Sequence, residues 1–396
     1  MSAAPERTLR ELGEVLPIER EGVVRATPYR CVAPESIPAR RFLFASRHAI
    51  AGHTSATGAF GGTGKSSLLI TEALAHCTAR NLLQDGPLFR GKAWLLELED
   101  PLEEHQRRIA AAMLLHNIRP EDIEGRFFVD TAEQSFVLAR DGRDGLTIAE
   151  PIVEGIIGRI REHGITFLTV DPFVACHAVS ENDNGSIDIV ARLWGRIARE
   201  TGCAIELVHH LRKGSNGGGG GGDPSVDDFR GASSLIPAVR SARLLTTMTK
   251  DEAEKHGVDE PFRFIRVIDG KKNMGPRSSK AVWRELVAMD LRNGDPSDHV
   301  AAVGPWQPPD AIDAANVEDI EVIKVRVRAG RWRESDKATD WVGNVVAEVL
   351  RLDLRDQSAR RHVKAAIASW LLQGVLRKVD GKDSKGMTRT FVEAPE

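Results

Sequence analysis

The apolar and polar positions of this chain change period repeatedly, and the changes predict its elements. Residues 50–59 form a short apolar-and-small run suited to a strand, whereas Leu68, Leu69, Ala73, Leu74 and Cys77 recur at helical spacing. The alternation continues with a strand at 93–99 (AWLLELE), a helix near 102–116, a short strand at 127–130 and a helix at 148–163. A strand at 166–171 (TFLTVD), a helix near 187–200 and a strand at 204–210 (AIELVHH) follow. Strand and helix in turn are the pattern of a parallel α/β sheet. Each strand stops in a polar residue, and a doubly wound sheet places its ligand at those C-terminal strand ends, so the polar ends are expected to converge.

Either side of this core, residues 46–289, the pattern differs. Residues 1–45, with Pro17, Pro28, Pro34 and Pro38, read as an extended arm laid on the core. Residues 290–313 hold Gly294, Pro296, Gly304, Pro305, Pro308 and Pro309 and read as a linker. In 314–396, helical segments near 317–329, 341–352 and 358–372 precede a hairpin-like tail at 376–391. Helix, helix, helix and hairpin predict a small α+β winged-helix domain. Residues 351–391 carry ten Lys/Arg against four acids, a balance that fits contact with phosphates. A helical protein-interaction module with a solvated basic face is the other reading.

Composition narrows the class. A length of 396 residues predicts one large domain with a smaller appendage. The apolar fraction of 41% and charged fraction of 28% are those of a soluble globular protein. Lys+Arg 54 against Asp+Glu 57 gives a net charge of −3, so nucleic-acid contact must come from local patches. The four cysteines, Cys31, Cys77, Cys176 and Cys203, form no C-x-x-C pair, which argues against a zinc site or a disulfide framework and fits a reducing cytoplasm. No membrane-length apolar run and no signal-peptide core occur, so no membrane partner is expected.

The chemistry centres on residues 57–67, TGAFGGTGKSS. Glycines let backbone N–H groups approach a phosphate, Lys65 would reach the β- and γ-phosphates, Ser66 would place its hydroxyl on Mg²⁺, and the helix opening at Lys65 adds its positive end. In the pattern G-x-x-x-x-G-K-[ST] the first glycine falls on Ala59, so the predicted nucleotide-binding set is Ala59, Phe60, Gly61, Gly62, Thr63, Gly64, Lys65, Ser66 and Ser67. Asp171, at the tip of an apolar strand, would hold Mg²⁺ or its waters beside Ser66; a turn-starting aspartate before Pro172 is the alternative. Glu97, Glu99 and Asp100 end the strand at 93–99. Of these, Glu99 shares a face with Glu97 and sits at the tip, where a carboxylate could orient an attacking water, unless it merely caps the following helix. His209 and His210 close another strand, where a histidine could sense the γ-phosphate or simply be satisfied by backbone. Arg212, Lys213 and the glycine run 217–222 follow, either a plain linker or a nucleotide-controlled contact loop.

Taken in order, AFGGTGKS, LELEDP, LTVDP, LVHH, RGASSLIPAVRSAR and KKNMGP resemble the motifs of RecA-like P-loop ATPases, and most closely the family of the hexameric plasmid replicative helicase RepA with its phage and chromosomal relatives, across roughly 37–287. The resemblance implies a RecA-like core with a mainly parallel sheet, ATP and Mg²⁺ as cofactors, and a homo-oligomer, a hexameric ring. It gives Lys65, Ser66, Glu99, Asp171 and His210 the roles already reasoned. The segment 211–228 would face single-stranded DNA through Arg212 and Lys213, although it has no aromatic residue on which a base could stack. It also implies a basic residue supplied to the neighbouring subunit's site, for which Arg230, Arg240 and Lys271 are candidates. DnaB-type helicases and clock ATPases have Lys-x-Arg where this chain has Lys271-Lys272-Asn273, a departure that puts the arginine elsewhere. The expectation is an ATP-driven, ring-shaped DNA helicase of plasmid, phage or mobile-element replication. The other classes are an ATP-switched DNA-binding or recruitment factor that does not unwind, and an ATPase whose oligomer engages only protein.

Overall fold

The computed structural model describes residues 26, 28–134, 136–142, 145–211, 234–276, 278, 281–308, 317–383 and 386–395. In chain order these form β1 (Thr54–Ala59), α1 (Lys65–Thr78), β2 (Ala93–Glu97), α2 (Leu102–His116), α3 (Pro120–Ile123), β3 (Phe127–Thr131), and a hairpin of β4 (Ala139–Gly142) and β5 (Gly145–Ile148). Next come α4 (Glu150–His163), β6 (Phe167–Asp171), α5 (Asn184–Thr201), β7 (Ala204–His210), α6 (Leu235–Ala238), β8 (Ser241–Thr247), α7 (Lys250–His256), β9 (Phe264–Lys272), β10 (Val282–Asp290) and β11 (His299–Trp306). The last elements are α8 (Val317–Arg328), β12 (Trp332–Arg333), α9 (Val342–Val349), α10 (Gln357–Leu372), β13 (Arg377–Lys382) and β14 (Thr388–Glu393).

Nine strands form one sheet in the order β11-β10-β9-β8-β1-β7-β6-β2-β3. The pairs from β8 through β1, β7, β6 and β2 to β3 are parallel. Both faces of this part are covered, which is why its strands read as continuous apolar runs rather than as an alternation. Leu168 and Val170 of β6 join α4 and α5 in one core, through Val153, Ile156, Ile157, Val190, Trp194 and Ile197. Phe167 of the same strand joins the opposite core, with Leu68, Ala73 and Leu74 of α1 and Leu95 of β2. Alternation therefore puts Asp171 on the α1 face, together with Glu97 of β2. The arm's described part is exposed as far as Arg41, and then Leu43 and Phe44 are buried.

The stretch expected to be a linker, 290–313, instead contains β11, at one edge of the sheet. Gly304 and Pro305, the residues that suggested a linker, are tolerated there because an edge strand leaves one row of N–H groups unpaired. The chain also divides differently from the expected boundaries. One compact unit takes the residues up to Thr246 together with Ile265–Pro305, and the second takes Thr247–Phe264 together with Trp306–Glu396. The second unit is built on Ile323, Trp341, Val346, Val363 and Trp370, with β12, β14 and β13 as an antiparallel sheet. The inserted α7 belongs to this unit: Arg361 of α10 pairs with Asp259, and Lys364 lies 3.8 Å from Glu254 and 3.3 Å from Asp336.

Candidate nucleotide site

The predicted loop leaves the C-terminal end of β1, the fifth strand of nine, and runs directly into α1. Thr63 Oγ1 donates to the Phe60 carbonyl at 2.7 Å and tightens the turn. Gly64 then adopts φ +88°, and a Cβ there would lie 2.9 Å from Ile265 and 3.0 Å from Leu286, so both conformation and space require glycine. From there α1 begins, with the Leu68 N–H bonded to the Gly64 carbonyl at 3.0 Å. All nine predicted loop residues, Ala59 to Ser67, thus lie at one strand end and one helix start.

Parallel register brings the other strand ends to the same place. Ala59 is paired with His210 across β1 and β7, and Glu97 with Asp171 across β2 and β6. Ser66 Oγ donates to Asp171 Oδ2 at 2.7 Å. The Lys65 ammonium, buried, lies 3.4 Å from the Phe60 carbonyl and 3.2 Å from His210 Nδ1. With Lys65 donating, Nδ1 is the acceptor, so the ring proton sits on Nε2, which faces Glu99 Oε2 at 3.3 Å. Burial lowers the Lys65 pKa, against the pull of Asp171 and Glu99, and burial raises that of Asp171, against its bond from Ser66 and the charge of Lys65. Lysine, serine, glutamate, aspartate and histidine from separate segments converge as the strand ends predict.

Residues 27–216 match the family model of the AAA domain. In the sheet one strand, β7, is inserted between the strand of the phosphate loop and the strand of Asp171. The sheet domain is a RecA-like P-loop ATPase fold. Among solved structures, one that is itself an ATPase domain aligns at 14% identity and a TM-score of 0.41, over 59% of this chain and 81% of that one. A DnaB-like replicative helicase, solved in a study of its interactions with primase, aligns at 16% identity and a TM-score of 0.43, over 60% of this chain and 56% of that one.

Within the RecA-like domain, β2 ends at Glu97, so Glu99 lies beyond the strand, its side chain 63% exposed. Glu97, 2% exposed, is the residue whose environment the sequence did not disclose. Its Oε1 has no hydrogen-bond partner, and His105 Nδ1 stands 3.6 Å from Oε2. Burial, and then the neighbouring Asp171, push the Glu97 pKa well above the usual carboxylate range. A raised folded-state pKa gives stability that is present below the unfolded value of 4.5 and lost as pH rises through the folded value. Glu97→Gln, a permanently neutral isostere, should therefore melt increasingly above the parent as the nucleotide-free protein is taken from pH 4.5 to 8. Melting curves that stay parallel over that range would show that Glu97 is not held protonated.

The candidates for a shared finger fall in different places. Arg240 is exposed, and its N–H bonds the carbonyl of Thr54, the first residue of β1, at 2.9 Å. It thus lies at the end of β1 opposite its own phosphate loop. Lys271 donates to the carbonyls of Ile236 at 2.7 Å and Pro237 at 3.2 Å, which engages its ammonium within its own domain. Arg230, Arg212 and Lys213 lie outside the described residues.

Behind the phosphate loop, the face of β1, β7 and β8 that packs on α1 carries a buried ionic network. Glu206, fully buried, accepts from Thr57 at 2.5 Å, from Ser55, and faces His48 Nε2 at 3.0 Å. Arg243 donates to both carboxylate oxygens of Glu72 on α1, at 2.5 and 2.7 Å, and to Thr57 at 2.8 Å. Burial alone would raise the Glu206 pKa, yet His48, Arg243 and the Ser55 hydroxyl hold it down at about 2. The network ties the helix that carries Lys65 and Ser66 to the central strands.

The basic surplus of 351–391 also has partners from outside that window. Arg360 approaches Asp336 at 3.7 Å, Arg377 approaches Glu393 at 3.0 Å, and Lys378 pairs with Glu334. With Asp259 and Glu254 already facing α10, acids distant in sequence answer most of the charge that a local count leaves over.

Proposed function

We propose that the chain is an ATP-hydrolysing motor that works as a ring of identical subunits on single-stranded DNA, a replicative helicase of a plasmid, phage or other mobile element. The observation that carries this reading is the linear array Lys65, His210, Glu99 beside the Ser66 to Asp171 pair, all at one edge of the sheet. The cradle suits a nucleoside triphosphate with Mg²⁺: N–H groups around left-handed Gly62 and Gly64, a buried ammonium, and a hydroxyl and carboxylate in contact. Ser66 and Asp171 would hold the ion, which when bound neutralises charge on the β- and γ-oxygens.

The chain's own groups then divide the work. Lys65 binds the terminal phosphates, and Glu99, exposed at the site's mouth, accepts a proton from water or orients it. His210 bridges these two side chains, so a phosphate that draws off the Lys65 ammonium leaves Nδ1 without its donor. That change arises at the last residue of β7, immediately before the segment proposed to meet DNA through Arg212 and Lys213. The order helix, strand, helix, helix, hairpin in the second unit supports a winged-helix module.

Two measurements test the reading. Single-stranded DNA should raise the ATPase rate, and mass measured in ATP should report a closed oligomer; a monomer whose hydrolysis ignores DNA would overturn the motor. In addition, inactive Lys65→Ala chains mixed with inactive Arg240→Ala or Arg230→Ala chains should regain partial activity, because some interfaces join an intact loop to an intact finger. Mixed oligomers that form and stay silent for both arginines would place the finger elsewhere.

A further inference from the structure

A cavity of about 370 Å³ lies on the flank of α1, lined by none of the phosphate-loop residues 59–67, and the proposed mechanism makes no use of it. Its walls come from α1, about one and two turns beyond Lys65, from β8, β9 and β10, and from loop residues at 45–48 and 84–85. The volume is that of a small-molecule site, and the lining is rich in charge. Most of that charge is internally answered. Both oxygens of Glu72 are held by Arg243, Asp269 accepts from Lys272 at 2.7 Å and from the Ser278 N–H at 3.0 Å, and Asp85 accepts the Ser46 N–H at 2.5 Å.

Arg284 is the exception. It is only 6% exposed, its Nη1 donates to the neighbouring Trp283 carbonyl at 2.9 Å, and its Nε has no partner. No carboxylate among the described residues comes within ion-pair distance of it; Glu72 and Asp85 act on it only from further off. A buried guanidinium ordinarily has a hydrogen-bonded counter-charge, because desolvating it without one is costly. Arg243, in the same wall, shows the usual solution. Arg47, exposed at the rim, adds a second cation with no acid among the described residues bonded to it, its guanidinium over the Phe42 ring at 5.5 Å.

We propose that this cavity binds a small oxyanion, the phosphate or carboxylate group of a compact metabolite, with Arg284 as its buried anchor and Arg47 at its entrance. Planar guanidinium groups bind both kinds of anion through paired N–H donors, so the shared chemistry is the oxyanion itself.

The test uses the full chain with saturating ADP and Mg²⁺, so that the phosphate loop is filled, and titrates inorganic phosphate or malonate by calorimetry at constant ionic strength. At least one anion should bind saturably, and which of them binds separates a phosphate ligand from a carboxylate one. Arg284→Gln should weaken that binding tenfold or more, and Arg47→Ala severalfold, with ADP affinity unchanged in both. If Arg284→Gln does not fold, the rim variant decides alone. Absence of saturable binding by either anion, or binding unchanged in every variant that folds, overturns the proposal.

Discussion

With Glu99 replaced by Gln, the protein should still bind ATP but hydrolyse it about two orders of magnitude more slowly or worse, while Lys65→Ala abolishes turnover. Removing a positioned proton acceptor costs about 10² to 10⁴ in rate, whereas removing the ammonium that the loop encloses deprives the terminal phosphates of their counter-charge. The two variants separate binding from chemistry when nucleotide affinity and single-turnover hydrolysis are both measured. A Glu99→Gln protein that turns over at the parental rate would move the role to Asp100. Glu97 is the poorer alternative, because it is 2% exposed and burial raises its pKa.

The largest effect on stability is expected from Arg243→Met. This change leaves Glu72 without its ion-pair partner and weakens the charge balance at Glu206, and breaking a buried pair from one side costs about 3–5 kcal/mol. Arg243→Met with Glu72→Leu should recover much of the loss, since Glu72 then no longer leaves an unpaired buried charge. Denaturant unfolding of the nucleotide-free protein measures both. A single variant within about 1 kcal/mol of the parent would mean that the pair is not desolvated as its burial indicates. The same network has a pH signature. The Glu206 pKa is depressed to about 2, so its contribution is complete above the unfolded value of 4.5 and is lost as pH falls from there toward 2.

Much of the site was legible because its residues sit at strand ends, where an apolar run stopping in a polar residue is itself the signal. Leu102–His116 and Ala204–His210 were readable to the residue, and Lys65, Ser66, Asp171, Glu99 and His210 meet as expected. What escaped was set by partners distant in sequence. Glu206 interrupts an apolar strand, and nothing local says that His48, Ser55 and Thr57 will satisfy it. The charge count over 351–391 cannot anticipate that Asp259 and Glu254, some hundred residues earlier, will face α10. β11 was hidden because Gly304 and Pro305 break strands in general, and only its place at the sheet edge makes them harmless.

The split composition of the second unit bears on how the chain is made. Thr247–Phe264 leaves the ribosome long before α10, its eventual packing partner: about 90 residues separate Phe264 from Gln357, or roughly 5 to 20 s of synthesis. Throughout that interval α7, which carries the buried Ala253, and the following Asp259 lack the α10 that they face in the finished protein. The interval is a window for chaperone capture or aggregation, and slow codons between these two segments would lengthen it. Nascent chains arrested after Trp306 should accordingly bind a holdase more strongly than chains released at full length.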